Sequence, residues 1–263
     1  CQDLVKAKFA DTAFRDTHRL GAVNSINWAR VAAQTVYYFT TASKLVGPNE
    51  PISFCVPTGN FGNIFAGYIA AQMCLPLDRL IMASNHNDIL TRAHLSGVME
   101  IREVQPSTSP AMDIQVSSNF ERLLFELSGT DSSWLSEAMR EFRTEGVIAL
   151  PPNILELLRI SFEAGAASDQ QVSETISELH STRQDFLDPH TAVGVGAAKK
   201  LSFNDCVVLS TAHPCKFPDA TNNAINKHEK LPEELQHVLD KKENFQVLKN
   251  STEDVKNFVK SKI

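Results

Sequence analysis

Residues 52–68, ISFCVPTGNFGNIFAGY, carry the spacing best suited to chemistry. Ile52 to Val56 is an apolar run bounded by prolines, as a buried strand requires, and Ile64 to Met73 repeats small and apolar residues at helical spacing. Between them, Gly59 and Gly62 let the backbone come close to a ligand and turn its N–H groups inward. The N-terminus of the following helix adds unpaired N–H groups and a positive dipole end, which together favour a phosphate dianion. The loop lacks the Gly-Lys-Ser/Thr ending of a P-loop, and its glycines, three apart, do not make the Gly-x-Gly-x-x-Gly of dinucleotide sites. A lone monophosphate, free or on a cofactor, fits it better. The same spacing also serves a plain strand-to-helix turn, and spacing alone leaves both readings open.

A second polar loop, Thr211 to Lys216, follows another apolar and β-branched run, Asp205 to Ser210. Strands alternating with helices predict an α/β fold built on an open, mostly parallel sheet with helices on both faces. In such sheets ligands sit beyond the carboxyl ends of the strands, so the two loops are expected to face one ligand from two sides. His213 is read as a hydrogen-bonded structural histidine in preference to a proton carrier. Asn24, Ser25 and Asn27 stand where a helix begins; contact with a substrate phosphate and plain N-capping are both open to them. Asp188 and His190 resemble two members of a catalytic triad, but a cap followed by proline at the first helical position explains the pattern more simply.

Elements that would position these residues follow from local signals. A long helix is expected from about Ser25 to Leu45, stopped by Gly47-Pro48, then the strand 52–56, the helix 64–73 and a strand from Arg79 to Ser84. Asn85 to Asp88 leads into a helix ending near Gly97. Ser118 and Glu121 have the form of a capping box ahead of another helix, as do Ser168 and Gln171. Helices are predicted over 132–145, 152–164, 169–183 and from Asp188-Pro189 to Leu201. Gln2 to Arg19 reads as one amphipathic helix, and the C-terminal region as helix, a short strand at Phe245 to Leu248, then the helix Thr252 to Lys262. This divides the chain into an α/β region at 1–118 with the phosphate loop, a helical excursion at 119–185, and the rest of the α/β domain with C-terminal helices at 186–263.

Hydrophobic residues fill 43% of the 263 positions, enough for a substantial core, and the formal charge of −6 leaves no electrostatic footprint for nucleic acid or an anionic membrane. No apolar stretch approaches a membrane span. The five cysteines are odd in number and form no Cys-x-x-Cys pair, and the eight histidines form no zinc-binding pattern. Reduced cysteines, no metal and an intracellular, cytoplasmic setting are the expectation. The chain opens on Cys1 and reads as part of a longer protein.

Six stretches together resemble one family: Val23 to Arg30 (VNSINWAR), the Pro57 to Asn63 loop, Ser109 to Ile114 (SPAMDI), Ser117 to Arg122 (SSNFER), Asp188 to Gly194 (DPHTAVG) and Ser210 to Pro214 (STAHP). They are similar to threonine synthases of the longer fungal and bacterial form, and to the animal threonine synthase-like proteins, in order along the whole chain. The resemblance implies a fold-type II pyridoxal phosphate enzyme, related in fold to the tryptophan synthase beta chain, converting O-phospho-L-homoserine and water to L-threonine and phosphate. It implies that Gly59, Asn60, Phe61, Gly62 and Asn63 hold the cofactor phosphate, and that Thr211 hydrogen-bonds the pyridine nitrogen. Because a hydroxyl is a weak proton donor, such a partner leaves the ring largely unprotonated. The Schiff-base lysine of the family falls in an N-terminal half that is not here, so no catalytic residue is assigned in this chain. Lys216 matches a second family lysine and is read as a surface or structural charge. Where Asn63 stands many members have an acid, and where Cys74 stands a glycine, which at a helix C-terminus takes a left-handed conformation. A phospho-lyase yielding 2-oxobutyrate and a non-catalytic binding module are the alternatives, and the oligomeric state stays open.

Overall fold

A computed structural model describes residues 2–21, 27–227, 229–238 and 240–262. In chain order its elements begin with α1 (Gln2–Ala10), α2 (Thr12–Thr17), α3 (Trp28–Leu45), β1 (Ile52–Pro57), α4 (Gly62–Gln72), β2 (Leu77–Ser84), α5 (Ile89–Ser96) and β3 (Val98–Glu100). They continue with α6 (Phe120–Leu127), α7 (Ser132–Glu145), β4 (Val147–Ala149), α8 (Pro152–Ser161), β5 (Phe162–Ala166), α9 (Asp169–Arg183), α10 (Pro189–Lys200) and β6 (Cys206–Val208). The last are α11 (Pro218–Ile225), α12 (Glu233–Gln236) and α13 (Thr252–Lys260). Residues 24–230 form one compact unit, and 1–23 with 231–263 a second.

In the larger unit the main sheet runs β5-β2-β1-β6, and its three pairings are parallel. Side chains on a strand alternate between faces, so a strand covered on both sides must be apolar throughout. β1 is buried at every position and apolar but for Ser53, whose hydroxyl donates to Asp78 at 3.0 Å. Phe54, Val56, Leu80 and Met82 enter a core with α4, α5, α6 and α8, whereas Cys55, Ile81 and Ala83 enter another with α9 and α10. The expected parallel sheet with helices on both faces is thus present. Close approach is enforced by glycine at two helices: a Cβ on Gly67 would lie 2.7 Å from the Tyr38 ring, and one on Gly194 would lie 2.7 Å from Val208.

Several local expectations are corrected. The helix expected over 152–164 ends at Ser161, and Phe162–Ala166 becomes the edge strand β5 paired with β2. Glu-Ala-Gly-Ala favours no strand by itself; the ladder to β2 and the complete burial of Phe162 override it. Residues 119–185 therefore hold two strands as well as helices, the other being β4, which pairs antiparallel with β3. Ser118 and Glu121 make no capping box: the N-cap of α6 is Asn119, in a helical conformation and without a side-chain cap. Ser168 with Gln171 does form the box that its spacing predicts. The helix start expected at Ser25 gives way to Asn27, whose side chain accepts from the Ala29 amide at 2.9 Å; Asn24 and Ser25 lie outside the described residues. Cys74 has φ +69°, the left-handed conformation anticipated at that helix end.

The smaller unit starts with two helices where one was read, because Asp11 interrupts the first and caps the second through the Phe14 amide. Asp11 also pairs with Lys256 of α13. Residues 245–248 are not a strand; Phe245 and Val247 are exposed, and an alternating pattern without a ladder partner gains nothing from extension. Among the described residues no helix is long and apolar enough to cross a membrane.

Candidate functional site

β1 and β6 lie side by side and parallel, so the loops leaving their carboxyl ends, 58–61 and 209–213, emerge at the same edge of the sheet. The first loop is short and held from many sides. The Thr58 amide donates to the Ala83 carbonyl at 2.8 Å and its hydroxyl to the Val56 carbonyl at 2.6 Å. Phe61, the N-cap of α4, adopts φ +61°, unusual for an aromatic residue. Its ring is 1% exposed and meets Phe120 edge-on at 5.1 Å and Phe162 at 5.9 Å. Packing by three aromatic rings holds a backbone conformation that sterics alone would reject.

The loop's carbonyls are bound from behind. The Ser117 hydroxyl donates to the Gly59 carbonyl at 2.8 Å, and the Asn119 side-chain amide and backbone amide donate to the Asn60 carbonyl at 2.8 and 3.1 Å. Ser118 reaches the Asn60 side chain at 3.5 Å. In a planar trans peptide the C=O and the next N–H point opposite ways. The Asn60 and Phe61 N–H groups are therefore turned away from the 117–119 segment, towards the side onto which α4 opens. α4 has no side-chain cap, so the donors of its first turn add to these two. Tyr38 donates to the Asn63 carbonyl at 2.8 Å and lies 3.3 Å from the Asn63 side-chain oxygen, fixing the start of that helix. Outward-turned amides at a helix N-terminus have the chemistry to hold an anion.

The backing segment is fixed in turn. Asn85, fully buried just past β2, donates to the Ser107 hydroxyl and to Asp113, each at 2.8 Å, and Asp113 accepts from the Ser107 amide at 2.9 Å. Pro110–Met112 makes a single 3-10 turn whose Ala111 carbonyl would lie 2.6 Å from a Cβ on Gly59. Gly59 is required by this close approach, a demand beyond the ligand access and the plain turn that its spacing left open. Ser117, Asn119, Asn85 and Asp113 were not singled out for roles beforehand. For Asn85 the available signal was a polar residue directly after an apolar strand; Asp113, Ser117 and Asn119 carried no such local signal.

The second wall is Thr211. It is exposed, its amide donates to the Thr191 hydroxyl at 3.4 Å, and its own hydroxyl has no hydrogen-bond partner among the described residues. His213 caps the turn 214–216 by accepting from the Cys215 amide at 3.3 Å, and Lys216 lies over the Phe217 ring at 5.9 Å. Asn27 caps α3, next to Trp28, whose ring meets Phe65 of α4 at 6.1 Å. Among the described residues no group of His, Cys, Asp and Glu is placed to hold a metal.

Asp188, 1% exposed, caps α10 through the His190 and Thr191 amides and also accepts from the Thr191 hydroxyl and the His190 ring. Burial pushes its carboxyl up, but the hydrogen bonds from His190 and Thr191 outweigh this and hold it below the ordinary carboxylate value. Asp188 therefore stabilises the fold fully above the unfolded value of about 3.9, and the contribution is lost as pH falls through the lower folded value. Urea melts across this acid range, for the parent and for Asp188→Asn, should show the parent losing its advantage only below about pH 4. Parallel curves would refute the assignment.

Residues 191–259 match the threonine synthase C-terminal family. The chain is 45% identical to the threonine synthase of Pseudomonas aeruginosa, over 98% of this chain and 56% of that protein. Against that of Saccharomyces cerevisiae it is 39% identical, over 100% of this chain and 57% of the other. The crystal structure of a PLP-bound threonine synthase from Brucella melitensis superimposes with a TM-score of 0.91 at 46% identity, covering 99% of this chain and 57% of that one. The chain thus spans little more than half the length of the relatives that it matches. With its glycine loop and its second polar loop set side by side at one sheet edge, the chain is similar along its whole length to the C-terminal part of the threonine synthases.

Proposed function

We propose that the protein carrying this chain is a threonine synthase, converting O-phospho-L-homoserine and water to L-threonine and phosphate with pyridoxal phosphate as cofactor. The observation that carries this reading is the backed glycine loop, whose carbonyls are occupied by Ser117 and Asn119 and whose N–H groups face outward. Such a donor set fits a cofactor phosphate. Gly59, Asn60, Phe61, Gly62 and Asn63 would bind it, several charge-assisted bonds at about 1.5–3 kcal/mol each being enough to anchor it while its aldehyde changes partners. Thr211, on the neighbouring strand end with its hydroxyl unpartnered among the described residues, would meet the ring nitrogen and leave it largely unprotonated. Pyridoxal phosphate supplies the electron sink that labilises bonds at the substrate's α carbon. We place the lysine that would carry the cofactor outside these 263 residues, and Asn27, with Asn24 and Ser25, at the substrate end.

The test is to incubate the full-length protein with pyridoxal phosphate and O-phospho-L-homoserine and to measure phosphate, threonine and 2-oxobutyrate together. Threonine and phosphate in equal amounts are expected. Phosphate matched by 2-oxobutyrate would make the protein a phospho-lyase on the same site, and no turnover would favour a non-catalytic module.

A further inference from the structure

The two walls of the site converge on one buried carboxylate. Asp188 accepts from the Thr191 hydroxyl, and that hydroxyl's oxygen accepts from the Thr211 amide at 3.4 Å. The second arm runs through His190. The Ala111 amide donates to His190 Nε2 at 3.2 Å, so Nε2 is an acceptor and the ring proton sits on Nδ1, 3.2 Å from Asp188. Ala111 in turn presents its carbonyl to Gly59 at a separation that admits no side chain. His190 is 5% exposed and its ring packs on Phe217 at 4.7 Å, so the imidazole has little freedom to turn. A helix cap alone needs only the two backbone bonds that Asp188 makes to His190 and Thr191. The two further bonds, to a ring and to a hydroxyl, are not needed to start α10, and each leads to a different loop.

We propose that Asp188 is a positioning residue that sets the distance between the phosphate loop and Thr211, acting through His190 on one wall and through Thr191 on the other. The inference rests on reading those two loops as one site. It assigns no proton transfer to Asp188 or His190, whose hydrogen bonds lie within this network. Its consequence is specific: the two arms should be separable, and neither should be replaceable by another good N-cap.

The experiment is amide hydrogen exchange on the full-length protein without added cofactor, followed by titration with pyridoxal phosphate. Thr191→Val keeps shape but removes the hydroxyl, and should speed exchange at Thr211 by about tenfold while leaving Ala111 and Asn119 unchanged. His190→Phe should instead speed exchange at Ala111 and at Asn119, whose amide donates to the Asn60 carbonyl of the glycine loop, and leave Thr211 unchanged. Asp188→Ser keeps a helix cap but cannot hold both the imidazole and the Thr191 hydroxyl; both loops should loosen, and cofactor affinity should fall about tenfold or more. Parent-like exchange in Asp188→Ser, or identical patterns in the two single-arm variants, would overturn the proposal. If Asp188→Ser does not fold, the single-arm pair decides. Exchange in the unliganded protein does not depend on what the site binds. The expected pattern without pyridoxal phosphate binding would therefore remove the proposed function alone.

Discussion

Gly59→Val in the full-length protein is expected to cut affinity for pyridoxal phosphate by a hundredfold or more while the chain still melts cooperatively. The Cβ would sit 2.6 Å from the Ala111 carbonyl, and that oxygen belongs to backbone pinned by Met112 in the core and by the Ala111 amide on His190. Neither partner yields cheaply, so the loop must shift. A shift of a few tenths of an ångström misaligns the Asn60 and Phe61 donors together, and losing two charge-assisted bonds amounts to roughly 3 kcal/mol, a hundredfold in affinity. Stability should fall less, by about 1–3 kcal/mol, because the overpacking is local to a surface loop. Calorimetric titration and a thermal melt on the same sample separate the two effects. Unchanged affinity would show that the loop does not touch the phosphate.

Phe61→Ala should give the largest loss of stability among changes at the site, about 3–5 kcal/mol, as for other buried aromatic truncations. The ring fills the space between Phe120 and Phe162, and the left-handed backbone strain stays behind when the packing that supports it is gone. Phe61→Gly separates these terms: it loses the same packing but relaxes the strain, so it should be more stable than the alanine variant by about 1 kcal/mol. Urea melts of the three proteins check the order. A glycine variant equal to or below alanine would mean that the positive φ carries no cost here.

What the sequence made legible was local or periodic. β1 announced itself by a largely apolar run between prolines, and α9 by Ser168 and Gln171, whose capping needs no distant partner. Ser118 misled because Ser118 and Asn119 serve the loop at Asn60, a contact far off in sequence. Phe162 misled in the same way, since its strand exists through β2 rather than through its own composition. In the site, the glycine loop and Thr211 could be found from spacing and family likeness. Ser117, Asn119, Asn85 and Asp113 act from behind the loop, where only the folded chain brings them together.

β6 joins β1 through a ladder of just three residues, Ser53 opposite Cys206 to Cys55 opposite Val208, and among the described residues it is the sheet's half-buried edge. The phosphate loop, by contrast, rests on the longer β1–β2 ladder and on a fully buried ring. Edge segments with few ladder bonds open at lower free energy than central ones. On gentle destabilisation the Thr211 wall should thus be released first, leaving a partly opened molecule in which the glycine loop stays formed while the loop facing it does not.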